Sequence, residues 1–219
     1  MDATGVSPSA AERVYQHVRS GILSRRFADN ELLSEGRLAD ETALSRTPVR
    51  EALLRLESEG MVRLLPKRGA LVLPVSVQEW RDVLSTRELV ETHCVRSVIE
   101  SGRAAGLVPR LDPAMADLLR AADAGDVVAY VTADREFHAA IVAAAGNSIL
   151  DRLYGSLRDR QLRMGTDNLL AEGGLPDGAR MNRTLADHQA IADAIAGEDV
   201  EAAVTRTVEH LATAARMLA

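Results

Sequence analysis

The sequence predicts a mainly α protein in two parts: three helices and a β-hairpin, then an all-α helical bundle. Three observations support this. Apolar residues recur at helical spacing along most of the 219 residues; Ala and Leu, which lose little side-chain freedom in a helix, dominate them, and aromatics make up only 3%. A single stretch, "MVRLLPKRGALVLP", reads as two β-prone runs around a turn. Beyond Pro74 one helical pattern follows another with no strand pattern between them.

Composition narrows the function classes. Hydrophobic residues reach 47%, enough to bury a core. Cys94 is the only cysteine, so no internal disulfide can form and a reducing cytoplasm is expected. The first residues lack a charged segment followed by an apolar one, so no signal peptide is expected. No apolar run approaches the roughly 18 residues that span a bilayer, and no membrane partner is expected. The net charge of −6 is unevenly placed: residues 1–75 carry 11 Lys/Arg against 10 Asp/Glu, residues 76–219 carry 15 against 22. The first part can therefore present a basic face.

Residues 1–8 read as a flexible tail and 9–75 as the first domain. "AERVYQHVRSGIL" places Val14, Val18 and Ile22 on one helical stripe. "SRRFADNELLS" predicts a loop and "EGRLADETA" a short helix. The next helix starts in "SRTPVREALLRLESEGMV", with Ser45 or Thr47 as its cap and Pro48 in the first turn, where a missing N–H is harmless. Val49, Leu53 and Leu56 face the core, and Gly60 ends the helix. The hairpin turns at Pro66-Lys67-Arg68-Gly69.

This order is the layout of a winged helix-turn-helix, whose second paired helix enters the major groove of double-stranded DNA. Arg46 and Arg50, one turn apart, then face the DNA, where a planar guanidinium can take phosphate or the guanine edge with two hydrogen bonds. Lys67, Arg68 and Gly69 at the hairpin tip would lie along the neighbouring minor groove. An amphipathic helix whose arginines merely pair with Glu51 and Glu57 would leave the short helix, the hairpin and its basic tip unexplained.

The second domain, 76–219, predicts helices over 77–102, 112–124, 126–145, 147–170, 181–197 and 199–218, broken at "GLVPRLDP" and "AEGGLPDGA". Four polar residues lie on its apolar faces. Asp134 and His138 are in register with Val127, Val131 and Ile141; His188 aligns with Leu185, Ala192 and Ile195; His210 aligns with Val200, Ala203 and Thr207. A buried carboxylate or imidazole needs a partner. Each histidine alone fits an ordinary satisfied core residue, whereas four such groups converging would partner a divalent metal ion: Zn, Ni, Mn or Fe. Arg87 also turns inward, with Leu84, Glu91, Val95 and Val98. It is either an intrahelical partner of Glu91 or the counter-charge of an anionic effector, with Arg160 and Arg163 as further candidates. His17 and His93 read as surface or packing residues, and Cys94 as a small core residue.

"LSEGRLADETALSRTPVREALLRLESEGMVRLLPKRGALV" resembles the DNA-binding domain of the GntR superfamily of bacterial transcription regulators. The resemblance implies that Arg46 and Arg50 touch the operator, with Thr47 near its backbone and Gly69 at the wing tip. Two positions depart from the family. Gly36 stands where an arginine is frequent; Arg37 beside it stays in the candidate set, although its phase turns it elsewhere. Ala43 replaces the usual turn glycine. "DREFHAAIVAAAGN", "DHQAIADAIAGEDVEAA" and "EHL" resemble the helical ligand-binding domain of the FadR branch, called the FCD domain. That resemblance implies a metal held by Asp134, His138, His188 and His210, the positions that match the ligands of its metal-binding members; some relatives lack the set and bind acyl-CoA without metal. It further implies a small carboxylate effector touching an arginine of the first helix.

The expected function is thus a metabolite-responsive regulator, a repressor, acting as a homodimer on a pseudo-palindromic operator with its two recognition helices about 34 Å apart. A metal-dependent hydrolase using the same site is the alternative from another class; it lacks a placed general base and leaves the DNA-binding half idle. A purely structural metal is a third reading. The chain is not expected to be an enzyme.

Overall fold

The computed structural model describes residues 8–171 and 174–215. The chain divides into two compact units between Pro74 and Val75. In the first unit α1 (Ala10–Leu23), α2 (Glu35–Thr42) and α3 (Arg46–Ser58) pack with a three-stranded sheet of β1 (Leu32–Leu33), β2 (Val62–Leu65) and β3 (Gly69–Val72). The expected hairpin is β2–β3, in register from Val62↔Val72 to Leu65↔Gly69. The stretch expected as loop holds β1, which pairs with β3 through Leu32↔Leu71 and Leu33↔Ala70. Two residues are too few to show alternation in a sequence, and only the partner strand makes them β. The expected tail falls largely outside the described residues.

The core of this unit contains the predicted apolar stripes together with Leu33 and Leu38, which sequence reasoning did not single out. Val14, Val18, Leu33, Leu38, Val49 and Leu56 are fully buried, each worth about 1.5–3 kcal/mol relative to exposure. Helix caps explain its turns. In α1 and α2 the cap serines, Ser9 and Ser34, accept the backbone N–H three residues on. Ser45 occupies the cap position of α3 but makes no side-chain cap bond, because the third helical residue is Pro48, which has no N–H to give. Gly60 closes α3 at φ 74°, with Met61 N–H donating to the Leu56 carbonyl, a Schellman arrangement. Ala43 ends α2 at φ 54°, a left-handed position that a Cβ makes unfavourable.

The second unit is all helix: α4 (Val77–Glu100), α5 (Ala104–Ala124), α6 (Val127–Ala144), α7 (Ser148–Ser156), α8 (Arg158–Asn168), α9 (Gly178–Ala196) and α10 (Val200–Ala215). Helix α5 packs on α6 and α9, α10 on α4 and α9, and α6 on α4 and α8. Two expectations change. The "GLVPRLDP" break is absent: Pro109 and Pro113 lie inside α5. Both are on its exposed face, where the carbonyls they leave unbonded can meet water, while Leu107, Leu111 and Leu118 anchor the other face. The expected single helix 147–170 is two, α7 and α8, parted at Leu157. The last helix is described to Ala215, so the expected stretch to 218 extends beyond the described residues. No helix among the described residues is long and apolar enough to cross a membrane.

Gly69 shows how tightly β1 sits on the hairpin. Its φ is +114°, and a Cβ there would lie 2.2 Å from the Leu33 carbonyl oxygen. Gly69→Ala is expected to destabilise the first unit by about 1–3 kcal/mol, read as a lower denaturant midpoint.

Candidate metal centre and nucleic-acid interface

Helical spacing delivers Asp134 and His138 to one face of α6, four residues apart, while α9 supplies His188 and α10 His210. Their ligand atoms all lie within 4.8 Å of one another. Asp134 Oδ1 stands 3.0 Å from His188 Nε2, 4.0 Å from His138 Nε2 and 3.9 Å from His210 Nε2, and the last two nitrogens are 3.2 Å apart. The three histidines are buried, and Asp134 keeps 21% of its side chain exposed.

The outer nitrogens decide what the inner ones offer. His188 Nδ1 is 2.6 Å from the Thr184 carbonyl, which can only accept, so Nδ1 carries the proton and Nε2 presents a lone pair. His138 Nδ1 is 2.8 Å from Glu91 Oε2, a close approach whose charge favours the proton on Nδ1. His210 Nδ1 faces Asp187 Oδ2 at 3.7 Å, too far for a hydrogen bond but favourable in charge. Burial, followed by the His188 charge, pushes His210 down to about 4, so it is neutral at pH 7. The inner nitrogens and the Asp134 carboxylate then form a cluster of potential ligand atoms, with His188 Nε2 buried and lacking a hydrogen-bond partner.

Such a cluster calls for a cation. Ligands at about 2.0–2.2 Å from one ion stand at most about 4.4 Å apart, so side-chain shifts of a few tenths of an ångström suffice. The nitrogen and oxygen donors suit Zn, Ni, Mn or Fe.

Beside the centre lies a cavity of about 50 Å³, with Asp134, His210, Arg87, Trp80, Gln161 and Asn168 among its lining. Arg87 Nε donates to Glu91 Oε1 at 2.7 Å, so the intrahelical pair exists. Its Nη2, buried at the cavity, has no partner. Glu91 binds three groups at once: Arg87, the Tyr154 hydroxyl at 2.7 Å, and His138. Burial alone would raise its pKa, but the Arg87 charge and then His138 hold it well below the usual carboxylate range. Asp134 is likewise held low, mainly by His188, against the effect of burial.

Arg160 and Arg163 are not among the cavity's lining residues. Arg160 donates to Glu79 Oε1 at 2.7 Å at a half-buried site, and Arg163 is buried in α8. Sequence reasoning passed over Thr184, Asp187, Tyr154, Gln161, Trp80 and Asn168, and treated Glu91 only as a partner for Arg87. One signal was legible: α8, "RDRQLRMGTDN", is strongly polar, yet Gln161, Arg163, Thr166 and Asn168 are all buried in it.

In the first unit Arg46, Thr47 and Arg50 are exposed on α3, as are Lys67 and Arg68 at the hairpin tip. A groove between α3 and the hairpin carries Arg50 on one wall and Lys67 and Gly69 on the other. Arg50 Nε donates to both oxygens of Glu35 at 2.9 Å. Both side chains reach solvent, so the pair is screened and weak enough for phosphate to compete. Arg46 Nη2 lies 3.9 Å from where a Cβ of Gly36 would stand, occupying space beside the departure from the family pattern. Arg37 donates to Glu31 at 2.6 Å and Glu41 at 2.7 Å and stacks over Phe27, which turns it toward its own unit's packing.

Residues 10–72 match the family of bacterial regulatory proteins, gntR family, and residues 82–213 match the FCD domain. The chain is 28% identical over 157 residues to the gluconate operon transcriptional repressor of Bacillus subtilis (strain 168), covering 68% of this chain and 61% of the relative. It is 25% identical over 206 residues to the galactonate operon transcriptional repressor of Escherichia coli (strain K12), covering 85% and 86%. A putative GntR transcriptional regulator from Rhodococcus sp. RHA1 shares the fold at a TM-score of 0.78, with 21% identity over 96% of this chain and 98% of that one. With both domain families matched in sequence and in fold, the chain belongs to the GntR family of DNA-binding transcription regulators, in the class that carries an FCD domain.

Proposed function

We propose that the protein is a metabolite-responsive repressor that acts in the cytoplasm as a homodimer. Residues 9–75 bind a pseudo-palindromic operator, and residues 76–219 form the dimerisation and effector-binding domain. Asp134, His138, His188 and His210 hold one divalent ion, whose Lewis acidity and remaining coordination positions suit a carboxylate. Arg87 offers its unpartnered Nη2 to the same anion. The observation that carries this reading is the convergence of potential ligand atoms: three imidazole Nε2 atoms and a carboxylate oxygen within 4.8 Å, beside a cavity with a buried arginine. The two sugar-acid operon repressors among the relatives support both the repressor role and an acidic effector. The effector alters operator affinity only as far as it binds the DNA-competent and incompetent arrangements differently.

Elemental analysis of tag-free protein after dialysis against metal-free buffer is expected to give about one divalent ion per chain, and none in His188→Ala. Absence from both, even after Zn²⁺ or Ni²⁺ is supplied, would reduce the four residues to ordinary buried polar groups. Glu91→Gln removes the charge that holds His138 and is expected to weaken metal binding roughly 10–100-fold in a chelator competition. On the DNA side, Arg46→Ala and Arg50→Ala should each weaken operator binding by about 1–3 kcal/mol. Unchanged gel-shift affinity in both variants would contradict the assignment of α3 as the reading helix.

A further inference from the structure

The cavity beside the metal centre contains more polar groups than a carboxylate can satisfy. Five buried atoms on its lining residues have no hydrogen-bond partner: Trp80 Nε1, Arg87 Nη2, Gln161 Nε2, Gln161 Oε1 and Asn168 Oδ1. Gln161 is 6% exposed and has both ends of its amide unpartnered, so exchanging its O and N leaves the problem unchanged. It lies on α8 on the same face as Met164, Gly165 and Asn168, all of which line the cavity. A Cβ at Gly165 would meet Val131 Cγ1 at 2.5 Å, so that face is pressed onto α6 and its side chains are held in place.

Sorting the five by chemistry selects the ligand. Trp80 Nε1, Arg87 Nη2 and Gln161 Nε2 are donors; a carboxylate, which only accepts, can serve the first two but cannot meet both ends of the Gln161 amide. Gln161 Oε1 and Asn168 Oδ1 are acceptors and need a ligand that donates. An ammonium group would donate, but it would sit beside the Arg87 charge, which disfavours it. A hydroxyl is neutral and both donates and accepts, so it can meet the two ends of the Gln161 amide. The space of about 50 Å³ is about four water positions, the scale of a short-chain acid.

We propose that this cavity selects a short hydroxy acid over the same acid without its hydroxyl, and that Gln161 reads the hydroxyl. The inference rests on the carboxylate reading of the cavity. A plain acid leaves the Gln161 amide buried and unpaired, which is the circumstance in which a polar site rejects an analogue lacking the hydroxyl.

The test is calorimetric titration of full-length, Zn²⁺-loaded protein with matched pairs: glycolate and acetate, DL-lactate and propionate, DL-malate and succinate. At least one hydroxy acid should bind about tenfold or more tightly than its plain partner. In Gln161→Met that ratio should fall to about one, with plain-acid affinity and Zn²⁺ content unchanged. Because the amide has no partner within the fold, the ligand-free melting temperature of Gln161→Met should hold or rise; a purely structural glutamine would lower it. Equal binding within every pair overturns the hydroxyl inference and leaves the carboxylate reading standing. A preference that survives in Gln161→Met overturns the role of Gln161. No binding of any acid by Zn²⁺-loaded protein overturns the carboxylate reading and this inference with it.

Discussion

Three imidazoles in the second unit point their Nε2 atoms at one carboxylate because their other nitrogens are committed outward. The Thr184 carbonyl and the Glu91 carboxylate hold the Nδ1 atoms of His188 and His138, and Asp187 faces that of His210. This brings potential ligand atoms together, 3.0 Å apart at the closest, inside the helical interior. Such an arrangement is unfavourable without positive charge and favourable with it. Much of the bundle around it follows from that requirement. Helices α4, α6, α9 and α10 must each bring one polar face inward, and Phe137 closes edge-on against His138 and His188.

Glu91 links this centre to the cavity. One carboxylate accepts from Arg87 and Tyr154 on Oε1 and approaches His138 through Oε2. His138 and Arg87 are thus neighbours through a single buried group.

The DNA-reading unit depends on backbone geometry instead. Pro48 gives α3 a rigid first turn at the loss of the cap bond Ser45 would otherwise make. Gly69 lets β1 lie against the hairpin, and Gly60 turns the chain from α3 into β2. Together they set the groove between α3 and the wing, with Arg50 and Lys67 on its two walls. The acidic partner of Arg50, Glu35, comes from the preceding helix and holds the arginine in place.

Periodicity and punctuation were enough to read much of this molecule from its sequence. Helical spacing identified the inward faces of α4, α6, α9 and α10, and with them Asp134, His138, His188, His210 and Arg87. These residues belong to long helices, where phase alone says which side is buried. What the sequence could not show arises where phase gives no information. Strand β1 exists only because β3 is there to pair with it. Helix α5 runs through two prolines because their unbonded carbonyls face water, which depends on which side of α5 is packed. Gln161, Asn168 and Trp80 became site residues only when α8 was pressed onto α6 and α4 supplied the opposite wall. The chain by itself determined which residues turn inward, since that is a property of each helix. Which of them meet, and which atoms are left without a partner, was decided by the packing of helices distant in sequence.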